Sequence, residues 1–253
     1  MDTFQDYAYY YNLFYEDKDY KAEAETVDRI LKGCELKGKD IINFGCGTGR
    51  HDIALERLGY HCHGIDLSPS MIEVAQNNAR LEGSNIVFEV ADVRAYETKK
   101  RYDAAISLFH VMSYQNANAD IRATFKSVRK SLKDAGGYFL FDAWYGPGVL
   151  SDKPSVRVKE VEDEENKLIR IARPVMYDKK NVVDVNYEVL VINKNSGKVQ
   201  AINEVHSMRY FFRPELELLL EEAGFTLLDN MDCQTLGETG YDSWTSYFLA
   251  KTI

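Results

Sequence analysis

At 253 residues the chain is long enough to bury a full core as one domain, or as one domain carrying an insert. Hydrophobic residues make up 45% and charged residues 28%, the balance of a soluble globular protein, and the net charge of -9 argues against a nucleic-acid backbone as partner. The Asp- and Tyr-rich start does not read as a signal peptide, no window approaches a membrane span, and four scattered cysteines without a C-x-x-C pair read as a reduced, cytoplasmic protein.

The first 20 residues are rich in rings (Phe4, Tyr7, Tyr9, Tyr10, Tyr11, Phe14, Tyr15, Tyr20), which suits either a helix packed on the core or a lid over a bound cation. Tyr20, Ala24, Val27 and Leu31 recur at helical spacing, with Gly33 as a stop. Ile41 to Phe44 reads as a buried strand, followed at once by Gly45, Cys46, Gly47 and Gly49, and then by a helix over Arg50–Leu58. Strand, glycine turn and helix form a nucleotide-cradling unit, because glycine lets the backbone come close to a ligand while the helix N-terminus adds its dipole.

A second strand runs over Tyr60–Asp66, placing Asp66 about 20 residues beyond the glycines, where a doubly wound sheet carries its ribose-binding acid. His61 and His63 point to one face of that strand and Cys62 to the other, so the three cannot converge on a metal. Ser68 caps a helix with Met71, Ile72, Val74 and Ala75 on its buried side; Met71 suits either the core or an adenine contact. Ile86–Val90 is a third strand, followed by Asp92 and Val93 at the carboxyl edge of the sheet.

Tyr102–Phe109 is a fourth strand, from whose end His110 to Gln115 enter the crevice where open α/β sheets bind ligands; His110 there is either structural or functional. A helix over Ile121–Leu132 precedes a fifth strand, and Asp142, Trp144 and Tyr145 at its end are candidates to contact a substrate. Residues 146–212 break the alternation: Val156–Val161, Leu168–Pro174, Val182–Ile192 and Val199–Tyr210 read as an inserted antiparallel sheet with a turn at Asn195-Ser-Gly197. Packing or homodimerisation and capping of the substrate pocket are compatible roles for it. A helix from Arg213 to Gly224 and strands over Phe225–Leu228 and Trp244–Ala250, one of them antiparallel, complete a core of 1–145 and 213–253.

The glycines run G-x-G-x-G rather than the G-x-G-x-x-G of dinucleotide folds, since position 50 is Arg. With Asp66 and Asp92, this pattern resembles class I S-adenosylmethionine (SAM) methyltransferases nearly from end to end. The resemblance implies a Rossmann-like, mostly parallel seven-stranded sheet with the antiparallel insert at 146–212. The opening Tyr7-Ala-Tyr-Tyr-Tyr-Asn-Leu-Phe-Tyr-Glu-Asp-Lys-Asp-Tyr20 and the stretch Glu204-Val-His-Ser-Met-Arg209 are similar to those of the small-molecule enzymes that methylate nucleotide-linked amino sugars. Residues 1–33 would then be a helical lid.

By that resemblance, Gly45, Cys46, Gly47 and Gly49 would cradle the methionine moiety, with Tyr11, Tyr20 and Leu108 beside it. Asp66 and Leu67 would take the ribose, and Asp92, Val93 and Met71 the adenine. Tyr7, Trp144, Tyr145, Glu204 and Arg209 would meet the acceptor, and Arg157, Lys159, Arg170 and Arg173 could serve a diphosphate. Two residues depart from the pattern: Asn12 stands for Asp, and Asn43 for the acid that commonly organises the cofactor's ammonium. Methyl transfer needs no metal and no covalent nucleophile. Its only proton chemistry is at the acceptor, for which His110, Tyr114 and His206 are the candidates. The expected products are S-adenosylhomocysteine (SAH) and a methylated small molecule, an amine such as an amino sugar, with a hydroxyl acceptor or a non-catalytic SAM-binding protein as alternatives. A nicotinamide oxidoreductase and a nucleic-acid or protein methyltransferase fit the motifs less well.

Overall fold

The structure, a computed structural model, describes residue 10 and residues 13–253. Tyr7, Tyr11 and Asn12, and with them part of the expected lid, lie outside the described residues.

Helix α1 (Tyr20–Lys32) begins where Asp19 accepts a hydrogen bond from the Ala22 amide at 2.9 Å, and it buries Ala24, Val27, Ile30 and Leu31 on one stripe. Then follow β1 (Asp40–Phe44), α2 (Arg50–Arg57), β2 (His61–Asp66), α3 (Pro69–Leu81), β3 (Val87–Val90), β4 (Ala104–Ser107), α4 (Asn118–Ser131) and β5 (Tyr138–Tyr145). Ser68 caps α3 and Pro69 occupies its first turn, as the sequence predicts. The chain ends with α6 (Arg213–Glu222), β10 (Phe225–Asp232) and β11 (Thr245–Thr252).

The main sheet has the order β3-β2-β1-β4-β5-β11-β10. Its first five strands are parallel, and β11 runs antiparallel to both β5 and β10. The winding reverses between β1 and β4, which opens a crevice at their carboxyl ends. Phe125, Phe139, Phe141, Phe225 and Phe248 fill the largest apolar cluster, while Val27, Leu31, Ile41, Ile106 and Leu140 fill a second.

Between β5 and α6 lie a six-residue helix, α5 (Gly146–Ser151), which the sequence did not foretell, and four antiparallel strands: β6 (Arg157–Glu162), β7 (Asn166–Tyr177), β8 (Val182–Asn193) and β9 (Val199–Phe211). β7 runs past Pro174 because β6 pairs with it only as far as Ala172. The proline, which has no N–H to give, therefore sits where β7 is an edge. The insert joins the main sheet where the end of β9 pairs parallel with the end of β5, Trp144 to Tyr210 and Tyr145 to Phe211. That junction brings one face of the insert, with Val185, Tyr187, His206 and Met208, to the crevice.

Candidate active site

Four strand ends meet in the crevice. After β1 the chain turns at Gly45, whose φ of +85° and whose contact with Val111 both require glycine: a Cβ there would lie 2.5 Å from Val111 Cγ1. The amides of Gly45 and Cys46 donate to the Ile65 carbonyl, at 2.8 and 2.9 Å, which ties the turn to β2. Asp66, at the end of β2, accepts from the amides of Gly47 and Ser68, both at 2.9 Å, so the carboxylate is fixed against the turn. After β3, Asp92 is gripped by its neighbour Arg94, whose Nε and Nη2 reach both carboxylate oxygens at 2.6–3.0 Å; this holds the Asp92 carboxyl below its usual range.

The fourth end is unusual. β4 stops at Ser107, two residues earlier than the sequence suggests, because Phe109 and His110 both take left-handed backbone (φ +66° and +67°). Two successive non-glycine residues in this region are costly, and such strain clusters at functional sites. Asp142 on β5 supports the turn: its Oδ1 accepts the His110 amide at 3.0 Å and its Oδ2 lies 2.8 Å from His110 Nδ1.

These ends surround one cavity of about 670 Å³, a size that suits a small-molecule or cofactor site. Tyr20, Gly45, Cys46, Gly47, Asp66 and Leu67 line it together with Met71, Asp92, Val93 and Leu108, as do Trp144, His110, Tyr114 and His206. The glycine turn offers space for a ligand: a Cβ at Gly47 would have no atom within 4 Å.

Four expected contacts lie behind the lining instead. Gly49 begins α2 and packs on β3, where a Cβ would come within 2.6 Å of the Phe88 ring. Tyr145 is buried in the main apolar cluster. Arg209 is buried and spends its guanidinium on the Asn116 carbonyl, at 3.1 Å, and on Glu215. Glu204 turns to His206, whose Nε2 is 3.0 Å from its Oε2. Nor do the four basic residues of the insert line the cavity: Lys159 binds Asp17, Arg170 the Tyr15 hydroxyl and Arg173 Glu188, while Arg157 is exposed.

Several lining residues escaped the sequence reading. Lys18 lies 3.5 Å from the Phe109 ring centroid and 3.0 Å from Glu23 Oε2, and the same oxygen is 2.6 Å from His51 Nε2. Burial lowers both Lys18 and His51 from their usual values and pushes the Tyr20 phenol up to about 12. The adjacency of Lys18 to Tyr20 in the aromatic opening was the available signal. Arg94, Asp120 and Tyr187 gave none, since each reads as an ordinary charged or strand residue.

Among the described residues no three His, Cys, Asp or Glu side chains gather as metal ligands; His63 of the His-Cys-His run pairs with Glu89 and Tyr102 instead. No described helix is long and apolar enough to cross a membrane.

Comparison with known proteins agrees with this geometry. A methyltransferase domain matches residues 41–136. A putative methyltransferase of Geobacillus sp. (strain WCH70) is 26% identical over 251 residues, 98% of this chain and 99% of that one. A dTDP-3-amino-3,4,6-trideoxy-alpha-D-glucopyranose N,N-dimethyltransferase of Streptomyces venezuelae is 24% identical over 87% of this chain and 90% of its own. Among solved structures, an S-adenosylmethionine-dependent methyltransferase from Clostridium acetobutylicum superposes with a TM-score of 0.81 over 96% of each chain, at 21% identity. Sheet order, glycine turn and relatives together mark the chain as a methyltransferase whose methyl donor is SAM.

Proposed function

We propose that the acceptor is a small-molecule amine, an amino sugar among the candidates, and that residues 146–212 cap its site. The observation that supports this is the continuity of the cavity from the glycine turn to Trp144, Tyr187 and His206, so that an aromatic end with groups able to accept a proton would lie beside a cofactor held at the glycines. Relatives named as N,N-dimethyltransferases of dTDP-linked amino sugars, from Streptomyces venezuelae and Saccharopolyspora spinosa, support an amine over a hydroxyl.

SAM, when bound, supplies a methyl group on a cationic sulfur and a neutral thioether as leaving group. Gly45, Cys46, Gly47 and Leu108 would hold its methionine moiety, with Lys18 and Arg50 as the cations for the carboxylate. Asp66 would accept from the ribose hydroxyls. Asp92 would meet the adenine amino group only by sharing its oxygens with Arg94, beside Val93 and Met71. The rings of Tyr15, Tyr20 and Phe109 suit a cation and exclude water. At the other end Trp144 and Tyr187 would position the acceptor, and His110, Tyr114 and His206 are the groups able to take its proton.

Negative charge supports a partner other than nucleic acid, and four free thiols support a cytoplasmic setting. The face of the insert opposite the cavity exposes Val158, Val175 and Val205, a surface suited to a homodimer, which sedimentation equilibrium reads directly.

The test is incubation of the protein and SAM with a panel of amino sugars, simple amines and their hydroxyl analogues, reading SAH release. Turnover confined to hydroxyl compounds would overturn the amine reading. Calorimetric titration with SAH isolates the cofactor step. Asp66→Ala should weaken SAH by roughly 10-fold or more, as expected on losing charge-assisted hydrogen bonds. Unchanged affinity would remove Asp66 from the ribose.

A further inference from the structure

We propose that Tyr114, His206 and Glu204 form a proton relay that takes the proton from the acceptor, with Glu204 as its positioning residue rather than a substrate ligand. The inference rests on the amine reading above.

The three side chains form a chain of short contacts running away from the cavity. Tyr114 leaves the strained turn after β4 and lines the cavity. Its hydroxyl is 2.7 Å from His206 Nδ1, and His206 Nε2 is 3.0 Å from Glu204 Oε2. Glu204 and His206 are two residues apart on β9 and so share one face of the insert, which is how one strand supplies both. An acidic residue in contact with Nε2 fixes the neutral imidazole as the Nε2–H tautomer. That leaves the Nδ1 lone pair aimed at the phenol, so Tyr114 donates its O–H to it.

The step then balances without any added reagent. An acceptor ammonium breaks one N–H bond and gives that proton to Tyr114 Oη, while the Tyr114 proton passes to His206 Nδ1. The amine is left neutral with its lone pair free, Tyr114 is unchanged, and His206 carries the positive charge. His206 is only 4% exposed, so an imidazolium there needs a countercharge in contact with it, and the Glu204 carboxylate, itself largely buried, supplies one. The proton leaves to solvent after the cycle. Among the described residues, the other titratable or charged groups near the imidazole are Tyr187 of β8, edge-on with ring centroids 4.9 Å apart, and Arg170 of β7, whose guanidinium lies 5.0 Å from the Tyr187 ring centroid. Neither contributes a negative charge, and Glu204 is the carboxylate in contact with the imidazole.

His110 provides the internal contrast. Its Nδ1 lies against Asp142, which also holds the His110 amide, so that dyad is built to brace the turn.

The experiment compares wild type with Glu204→Gln, Glu204→Asp, Tyr114→Phe and His110→Asn, using a turned-over amine. SAH affinity by calorimetry serves as the check on folding and on the cofactor site, and should stay within about 2-fold for the Glu204 and Tyr114 variants. Removing the carboxylate charge weakens His206 as a base, so Glu204→Gln should lower kcat by about 10²-fold and move the acidic limb of the kcat profile to lower pH. Glu204→Asp should restore much of both, and Tyr114→Phe should lower kcat with little change in KM. Imidazole ¹⁵N NMR of the protein without acceptor should show His206 as the Nε2–H tautomer in wild type and a tautomer mixture in Glu204→Gln. An unaltered pH limb together with an unaltered His206 tautomer in Glu204→Gln would overturn the relay, as would a profile shifted only by His110→Asn. A wild type that fails to bind SAH would instead defeat the methyltransferase reading itself.

Discussion

Asn43 shows how a single substitution is compensated by its neighbours. It stands where the sequence pattern expects an acid, and its side chain is buried at the end of β1. Asn43 Nδ2 donates to Asp52 Oδ2 at 2.8 Å, and Asp52, on α2, is fully buried. Burial pushes the Asp52 carboxyl from 3.8 up to about 7, so the pair is neutral over most of the mildly acidic range. The two remaining oxygens, Asn43 Oδ1 and Asp52 Oδ1, have no hydrogen-bond partner among the described residues, and a proton on Asp52 would let one donate to the other. The folded chain therefore holds a proton that the unfolded chain releases near pH 4. Its contribution to stability is complete below that pH and drains away as pH rises through about 7, at roughly 1.4 kcal/mol per pH unit. Asp52→Asn keeps the neutral pairing and has no proton to lose. It should match wild type near pH 4.5 and flatten the fall of Tm between pH 5 and 7.5, read by thermal denaturation; parallel Tm curves would refute the protonated pair. Asp66 and Asp92 were legible in the sequence because each follows a strand end at a fixed place. Asp52 was not, since it occupies an ordinary first-turn position of α2 and its chemistry comes from what is packed on top of it.

Two turns shape the crevice, and they depend on each other. Gly45 has room only because its missing Cβ is replaced by the Val111 side chain, which the left-handed pair Phe109–His110 delivers from the end of β4. Gly45→Ala adds left-handed strain of about 1 kcal/mol to the overlap with Val111. The variant should lose 2–4 kcal/mol, about the cost of overpacking a tight contact plus that strain, and bind SAH more weakly. Adding Val111→Ala should recover the overlap but not the strain, so denaturant titration of the double variant would fall between the two. Strictly additive losses would show that the turns are independent. At this scale the strands of the main sheet were readable from their apolar runs. The stop of β4 at Ser107 was not, because Leu108 and Phe109 continue the apolar pattern while the backbone turns away beneath it. The extension of β7 beyond Pro174 was missed for a similar reason: a proline reads as a terminator until its edge position is known.

At the scale of the molecule, the core and the insert meet at the two-residue pairing of β5 with β9, at the bonds that tie Asn116 to Ser207 and Arg209, and in a shared apolar cluster around Val149 and Met208; a chain segment fastens the insert again, farther along its strands. Phe14 is fully buried among Leu168, Val189, Val191 and Ile202 of the insert. Its carbonyl accepts from Lys159 Nζ at 2.7 Å, and Lys159 also pairs with Asp17 at 3.0 Å. From this anchor the chain passes Tyr15, Lys18 and Tyr20, which line the cavity, and enters α1 on the core. Residues 14–20 thus act as a strap, held by the insert at Phe14 and walling the cavity with Tyr15, Lys18 and Tyr20. Sequence alone showed the rings and their two uses, core packing or lid; among the described residues Phe14 packs into the insert while Tyr15 and Tyr20 line the cavity, a split that ring spacing does not reveal. Phe14→Ala leaves a cavity in the small cluster beneath the insert, a truncation that costs about 3–5 kcal/mol where the site cannot collapse. Because that cluster is separate from the two apolar clusters of the core, the loss should be local. Hydrogen exchange should quicken in residues 13–19 and β7–β9 while β1, β4 and β5 keep their protection, and SAH should bind more weakly although no cofactor-end residue has changed. Exchange that quickened equally in both sheets would mean that the strap is part of one cooperative core and that cofactor binding is not gated through it.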